Sequence, residues 1–174
     1  MTEQSTTFTA TDLQGFLDEM VDHDRLMLAD RLQIASERLA EYGQLVTAGH
    51  GEKDASSWSA HEVLAHIVVL SKFYGVIFHK VSSATMTELD LLNNVGLRDA
   101  MDEQMAQLEP KELVRMALED HARTIKALRA ADPAAMRRVV RVDGGETMTA
   151  EEVARLPLIS HLELHIDQLA RALA

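Results

Sequence analysis

Apolar residues recur at three- and four-residue steps over most of the chain, and these steps divide it into helices. Leu13, Phe16, Leu17, Met20, Leu28, Leu32, Ala35, Leu39, Tyr42 and Val46 follow this period. They predict one long first helix, or a short helix running into a long one near residues 22–24, with Thr11 or Asp12 as cap. Residues 47–57 hold Gly49, Gly51 and two serines and predict a loop. Ser59 with Glu62 three residues on is a capping-box pattern and opens a second helix. Val63, Ile67, Leu70, Phe73, Tyr74 and Ile77 form its apolar side, which fades near Val81.

The pattern is less regular over residues 82–109, where one or two short helices are expected with a break near residues 93–96. They would form a lid or pack along the other helices. Pro110 suits the first turn of a third long helix, with Leu113, Ala117, Thr124 and Leu128 inward and an end before Pro133. Residues 138–142 are rich in β-branched valine, and Asp143-Gly144-Gly145 and residues 146–148 follow, so a small hairpin or extended loop is expected. Thr149 with Glu152 caps a last helix that Pro157 would kink. Four amphipathic helices without a strand-rich region predict an all-α four-helix bundle. Its short extra helices lie between helices two and three, and the hairpin or extended loop precedes the last helix. Residues 1–10 read as a flexible tail and residues 11–174 as a single domain.

Composition narrows the chemistry. The 174 residues include no cysteine, so a transition metal would have to be held by nitrogen and oxygen ligands. A net charge of −11 repels phosphate backbones and argues against nucleic-acid binding. The first residues lack a secretion signal, and no uninterrupted apolar run approaches the ~20 residues of a membrane span. A soluble cytoplasmic protein, with no membrane partner, is expected.

Three histidines carry the most specific signal. At ~100° per residue, His161 and His165 sit ~40° apart and one turn apart on the same side of the last helix. Leu158 and Leu169 continue that side, and His66 belongs with Val63, Leu70 and Phe73. A lone inward histidine is as a rule a hydrogen-bonded core residue. Two adjacent ones without partners would cost roughly 1–3 kcal/mol for each unsatisfied group. A His-x3-His pair plus one histidine from a neighbouring helix makes a three-nitrogen face for a divalent ion, with a position left open for water or substrate. Other histidines fit less well. His61 and His66 lie ~140° apart and cannot chelate together from a regular helix. Glu163 points ~200° away from His161 and cannot act as a zincin base. His121 lies near the inner side of the third helix and could line a cavity, supply a fourth ligand or belong to the core. His23, His50 and His79 carry no spacing signal.

The segment Ser57-Trp58-Ser59-Ala60-His61-Glu62-Val63-Leu64-Ala65-His66-Ile67 resembles the start of helix two in the DinB/YfiT-like superfamily. The ending His161-Leu-Glu-Leu-His165-Ile-Asp167-Gln168-Leu169 resembles that family's last helix. It is also similar to the metal-binding N-terminal domain of mycothiol-dependent maleylpyruvate isomerase. Asp167 and Ala172-Leu173 fit that pattern, whereas His161 stands where it carries a Glu. The resemblance implies a four-helix bundle with His66, His161 and His165 on one divalent metal ion, zinc first and nickel or iron as alternatives. It further implies a metal-dependent transferase or isomerase that uses a low-molecular-weight thiol, of mycothiol or bacillithiol type, on a small electrophilic substrate. A metal-dependent hydrolase and a non-catalytic metal- or ligand-binding stress protein are the rival expectations. No general base is singled out, so the catalytic residues stay unassigned. A homodimer is the partner expected of a small bundle.

Overall fold

The computed structural model describes residues 7–48 and 58–174. Residues 1–6 of the expected tail, most of the expected 47–57 loop and His50 lie outside the described residues. Helix α1 runs unbroken over Ala10–Gly43. Its cap is Thr9, earlier than Thr11 or Asp12, because Asp12 then stands at the third helical position and closes a capping box. The Asp12 N–H donates to the Thr9 hydroxyl at 3.1 Å, and the Thr9 N–H donates to the Asp12 carboxylate at 2.8 Å.

Helix α2 spans Ala60–Ser82 from the expected Ser59–Glu62 capping box. It is buried on several faces, because helical elements pack around it, among them α3 (Val95–Met105), α4 (Pro110–Ala130), and the paired α6 (Ala150–Val153) and α7 (His161–Leu173). By length and composition alone α2 could cross a membrane, with mean hydropathy 1.4, yet 67% of that stretch is buried within the protein. It is placed as a core helix.

Helix α4 starts on Pro110, which needs no N–H partner at that position. It packs against α1 and α2 through Leu113, Ala117, His121, Thr124 and Leu128. Close approach of α1 and α4 requires glycine at 43, where a Cβ would lie 2.4 Å from Val114 Cγ2. The apolar stripe of α1 divides in two. Leu28, Leu32, Ala35 and Leu39 are buried, whereas Leu13, Phe16, Leu17 and Met20 are exposed at the amino-terminal end. Periodicity shows that a helix has an apolar side, not which partner covers it.

After α5 (Pro133–Arg137), the expected hairpin forms from β2 (Val139–Val142) and β3 (Glu146–Thr149). Its register pairs Val139 with Thr149 and Val142 with Glu146. Asp143 and Gly144 have φ of 49° and 74°, the left-handed pair that a type I′ turn requires. The two-residue β1 (Glu88–Leu89) adds in parallel to β2, so the hairpin becomes a three-stranded sheet. Between α6 and α7 the chain takes a π-helical path over Ala154–Ser160. Pro157 cannot donate into the helical ladder, and the His161 N–H reaches the Leu156 carbonyl five residues back. This wider turn sets the rotation at which α7 presents its histidines.

Candidate metal centre

His66 stands in the second turn of α2, and His161 and His165 in the first turns of α7. Packing of α2 against α7 brings the three rings together. Ring centroids lie 4.6 Å apart for His66 and His165, 4.7 Å for His161 and His165, and 5.7 Å for His66 and His161. One nitrogen from each ring falls within 4.8 Å of the others. Small ring rotations would bring all three onto one ion at the about 2.0–2.1 Å that nitrogen ligands take. On α7 the core stripe is Leu162, Ile166 and Leu169, and the histidines flank it instead of lying in it. They are therefore only partly buried, which keeps one side of the cluster open.

Each ring is anchored by a second contact. His66 Nδ1 lies 2.8 Å from Asp102 Oδ2 of α3. His165 Nδ1 lies 2.9 Å from Gln168 Oε1. The Pro157 carbonyl, within the π-helical turn, acts on the His161 ring from one turn back. With Nδ1–H donating, the Nε2 lone pairs of His66 and His165 are left for a ligand interaction. Oriented imidazoles of this kind, held by carboxylate and carbonyl acceptors, are the usual surroundings of metal-ligating histidines. Protonation is also disfavoured. Burial pushes the pKa of His165 down to about 4 against the opposing hydrogen bond to Gln168, and the His66 and His161 rings add to the lowering. Burial and His66 lower that of His161. Neutral rings are the form that ligates metals, so the donor set fits a divalent transition ion.

Around the open side stand residues that periodicity did not mark as functional. The Trp58 ring lies 4.7 Å from His66 and stacks at 6.0 Å over His165, while remaining half exposed. Tyr74 is 6.5 Å from the His161 ring. Its hydroxyl accepts a 3.0 Å hydrogen bond from Arg98 Nη1 of α3. Asp102 and Arg98 are one turn apart in the segment expected to be a lid or a packing element. Their spacing is a faint sequence signal, because nothing in it says what α3 covers.

The other candidates fall elsewhere. His121 is buried between the hydroxyls of Ser36 and Ser71, each 2.8 Å from a ring nitrogen, and burial lowers its pKa to about 4. It is a core histidine tying α4 to α1 and α2. His61 lies 2.8 Å from the Leu108 carbonyl through Nε2. Glu163 accepts from Arg31, and Asp167 from Arg38, so both are turned away from the cluster. His23 lies beside Asp24 and is largely exposed.

Asp102→Ala is expected to weaken divalent-metal affinity by about 10- to 100-fold, since the acceptor that orients His66 is lost. Titration of the metal-free variant with zinc against a competing chelator measures this.

A mostly helical fold with three imidazoles converging beside an open face defines a class of protein with a candidate metal centre. The chain belongs to the DinB superfamily, whose sequence profile matches residues 28–169. Its structure is similar to the crystal structure of the mycothiol-dependent maleylpyruvate isomerase, with a TM-score of 0.66 and 18% sequence identity. That match covers 85% of this chain and 60% of the isomerase, so the chain spans about three fifths of the isomerase's length. The crystal structure of a point mutant of the same isomerase matches with the same figures. At this identity the likeness is one of fold. No curated protein matches the chain significantly in sequence.

Proposed function

We propose that this chain is a divalent-metal-dependent enzyme in which a low-molecular-weight thiol attacks a small electrophilic substrate. His66, His161 and His165 serve as metal ligands, with zinc as the first choice and nickel or iron as alternatives. The observation that carries this reading is the convergence of three imidazoles, two of which have their Nδ1 already engaged, His66 by Asp102 and His165 by Gln168. A divalent ion bound there supplies Lewis acidity, which lowers the pKa of a thiol reaching the open position. The chain has no cysteine, so the nucleophilic sulfur comes from the cosubstrate. Its sulfur forms the new S–C bond, and the leaving group departs with its electron pair.

The protein's own groups orient and shield. Trp58 walls the cluster on one side, and α3 supplies Asp102 to fix the His66 ring. Mycothiol dependence of the structurally similar isomerase supports a thiol cosubstrate, of mycothiol or bacillithiol type. A cytoplasmic setting, where such thiols are kept reduced, completes the reading. The long helices α1, α2, α4 and the joined α6–α7 are read as a four-helix bundle of the DinB type.

The experiment is thiol conjugation by zinc-loaded protein with mycothiol or bacillithiol and a chlorodinitrobenzene or bimane electrophile. Thiol consumption that a chelator stops is the expected result. Ester or amide turnover without any thiol would move the assignment to metal-assisted hydrolysis.

The exposed residues Leu13, Phe16, Leu17 and Met20 on one side of α1 support a homodimer. Sedimentation is expected to show a dimer that Phe16→Glu with Met20→Glu converts to monomer. A wild-type monomer at high concentration would remove the dimer from the reading.

A further inference from the structure

We propose that Arg98 is the anion-recognition residue of this centre, and that the small molecule entering its open side carries a carboxylate. The inference rests on the metal-centre reading and specifies the ligand class that it would take.

Arg98 and Asp102 are four residues apart on α3, the spacing at which an arginine and an aspartate commonly pair along a helix. Among the described residues no ion pair joins them. Asp102 instead turns one oxygen to His66, and Arg98 turns Nη1 to the Tyr74 hydroxyl. Each is left with a buried polar atom that has no partner among the described residues, Arg98 Nε and Asp102 Oδ1. A buried donor or acceptor without a partner is costly, so two on one helix face beside the same cluster point to a missing polar ligand.

The chemistry of the free edge identifies that ligand. With Nη1 engaged, the guanidinium keeps its Nε–Nη2 side, a two-donor fork that matches a carboxylate. The guanidinium also lies 5.4 Å from the Phe73 ring, which holds it in place. Most arginines reach a carboxylate of the protein, whereas among the described residues Arg98, Arg138 and Arg171 form no such pair, and of these three Arg98 alone is partly buried. In an acidic chain, a partly buried arginine left free of acidic partners beside an open centre is suited to an anion from outside.

The carboxylate could reside on the thiol or on its acceptor, and two arms of one experiment separate these sources. Cobalt-loaded protein is titrated with N-acetylcysteine and with its amide, following the sulfur-to-cobalt absorption band. In the second arm, cobalt protein saturated with 2-mercaptoethanol is titrated calorimetrically with succinate and with succinamide. Preference for the carboxylate by about ten-fold or more is expected in one arm, as a charge-assisted hydrogen bond provides. Arg98→Gln should erase that preference while cobalt stoichiometry stays unchanged, and Arg98→Lys should restore part of it. Equal binding of acid and amide in both arms overturns the inference, as does a preference that survives in Arg98→Gln. In those cases the cobalt and thiol bands remain, and the metal reading stands without it. If the wild type takes up no cobalt, the metal reading fails and the inference with it.

Discussion

Alanine at both His161 and His165 is expected to abolish stoichiometric binding of a divalent ion, weakening affinity by roughly a thousand-fold or more. The estimate follows from the smaller losses, about 10- to 100-fold, that accompany removal of groups which merely orient a ligand. The double variant leaves one imidazole, His66, and no chelate. His66→Ala should lose less, because the His161–His165 pair on one helix survives. Elemental analysis and zinc titration of metal-free protein measure the effect, and circular dichroism checks that the helices persist. A second readout is thermal. An ion present at a hundred times its dissociation constant stabilises the native state by about 2.7 kcal/mol. For a chain of this length that raises the melting temperature by about 5–10 °C, and the double variant should show no rise. Retention of one ion per chain by the double variant would place the metal elsewhere.

The second large effect is a loss of stability in acid that originates in the core and not at the centre. His121 is buried between Ser36 and Ser71, and its folded-state pKa is about 4 against an ordinary value of 6.5. The folded chain therefore keeps the ring neutral where the unfolded chain protonates it. Between pH 6.5 and pH 4 the unfolded state holds more protons, so stability falls as pH falls through this window. Above pH 6.5 nothing is lost on this account, and the loss reaches about 3 kcal/mol by pH 4. His165 and His161, also depressed, act in the same direction. Urea unfolding of metal-free protein across this range should show the decline. His121→Leu should make it shallower, while costing about 1–3 kcal/mol at neutral pH because the Ser71 hydroxyl loses its buried partner. An unchanged slope in that variant would show that the buried ring is not its source.

Both predictions depend on histidines that sequence spacing treats alike, yet they have opposite roles. His121 recurs with Ala117 and Leu128 just as His66 recurs with Val63 and Leu70. Helical period shows that a side chain faces inward, but not whether it meets two serine hydroxyls or two other imidazoles. Those partners come from other helices, Ser36 on α1 and Ser71 on α2 for His121, His161 and His165 on α7 for His66. The pairing of His161 with His165 was legible because a single helix places both rings. His66 was drawn in by its resemblance to the DinB-like helix two.

Local chemistry was the most legible part. The Ser59–Glu62 and Thr149–Glu152 boxes, the Pro110 start and the Asp143–Gly144 turn all form where the residues indicate, since each depends on atoms a few positions apart. The α1 start differed for a related reason. Asp12 serves as the returning acceptor of a box, which moves the cap back to Thr9. Less legible was the π-helical turn around Pro157, which shows in sequence only as a kink. It rotates α7 so that its histidines flank the core stripe and leave an open side.

The sequence by itself determined the helical segments, their caps and the His161–His165 pair, because these follow from interactions within one or two turns. Only the tertiary structure decided that α3 lies over the cluster, that Asp102 orients His66 and that Arg98 bonds to the Tyr74 hydroxyl beside it. Tertiary packing likewise decided that His121 belongs to the core. These outcomes depend on which helix faces meet, and a periodic pattern carries the presence of a face without the identity of its partner.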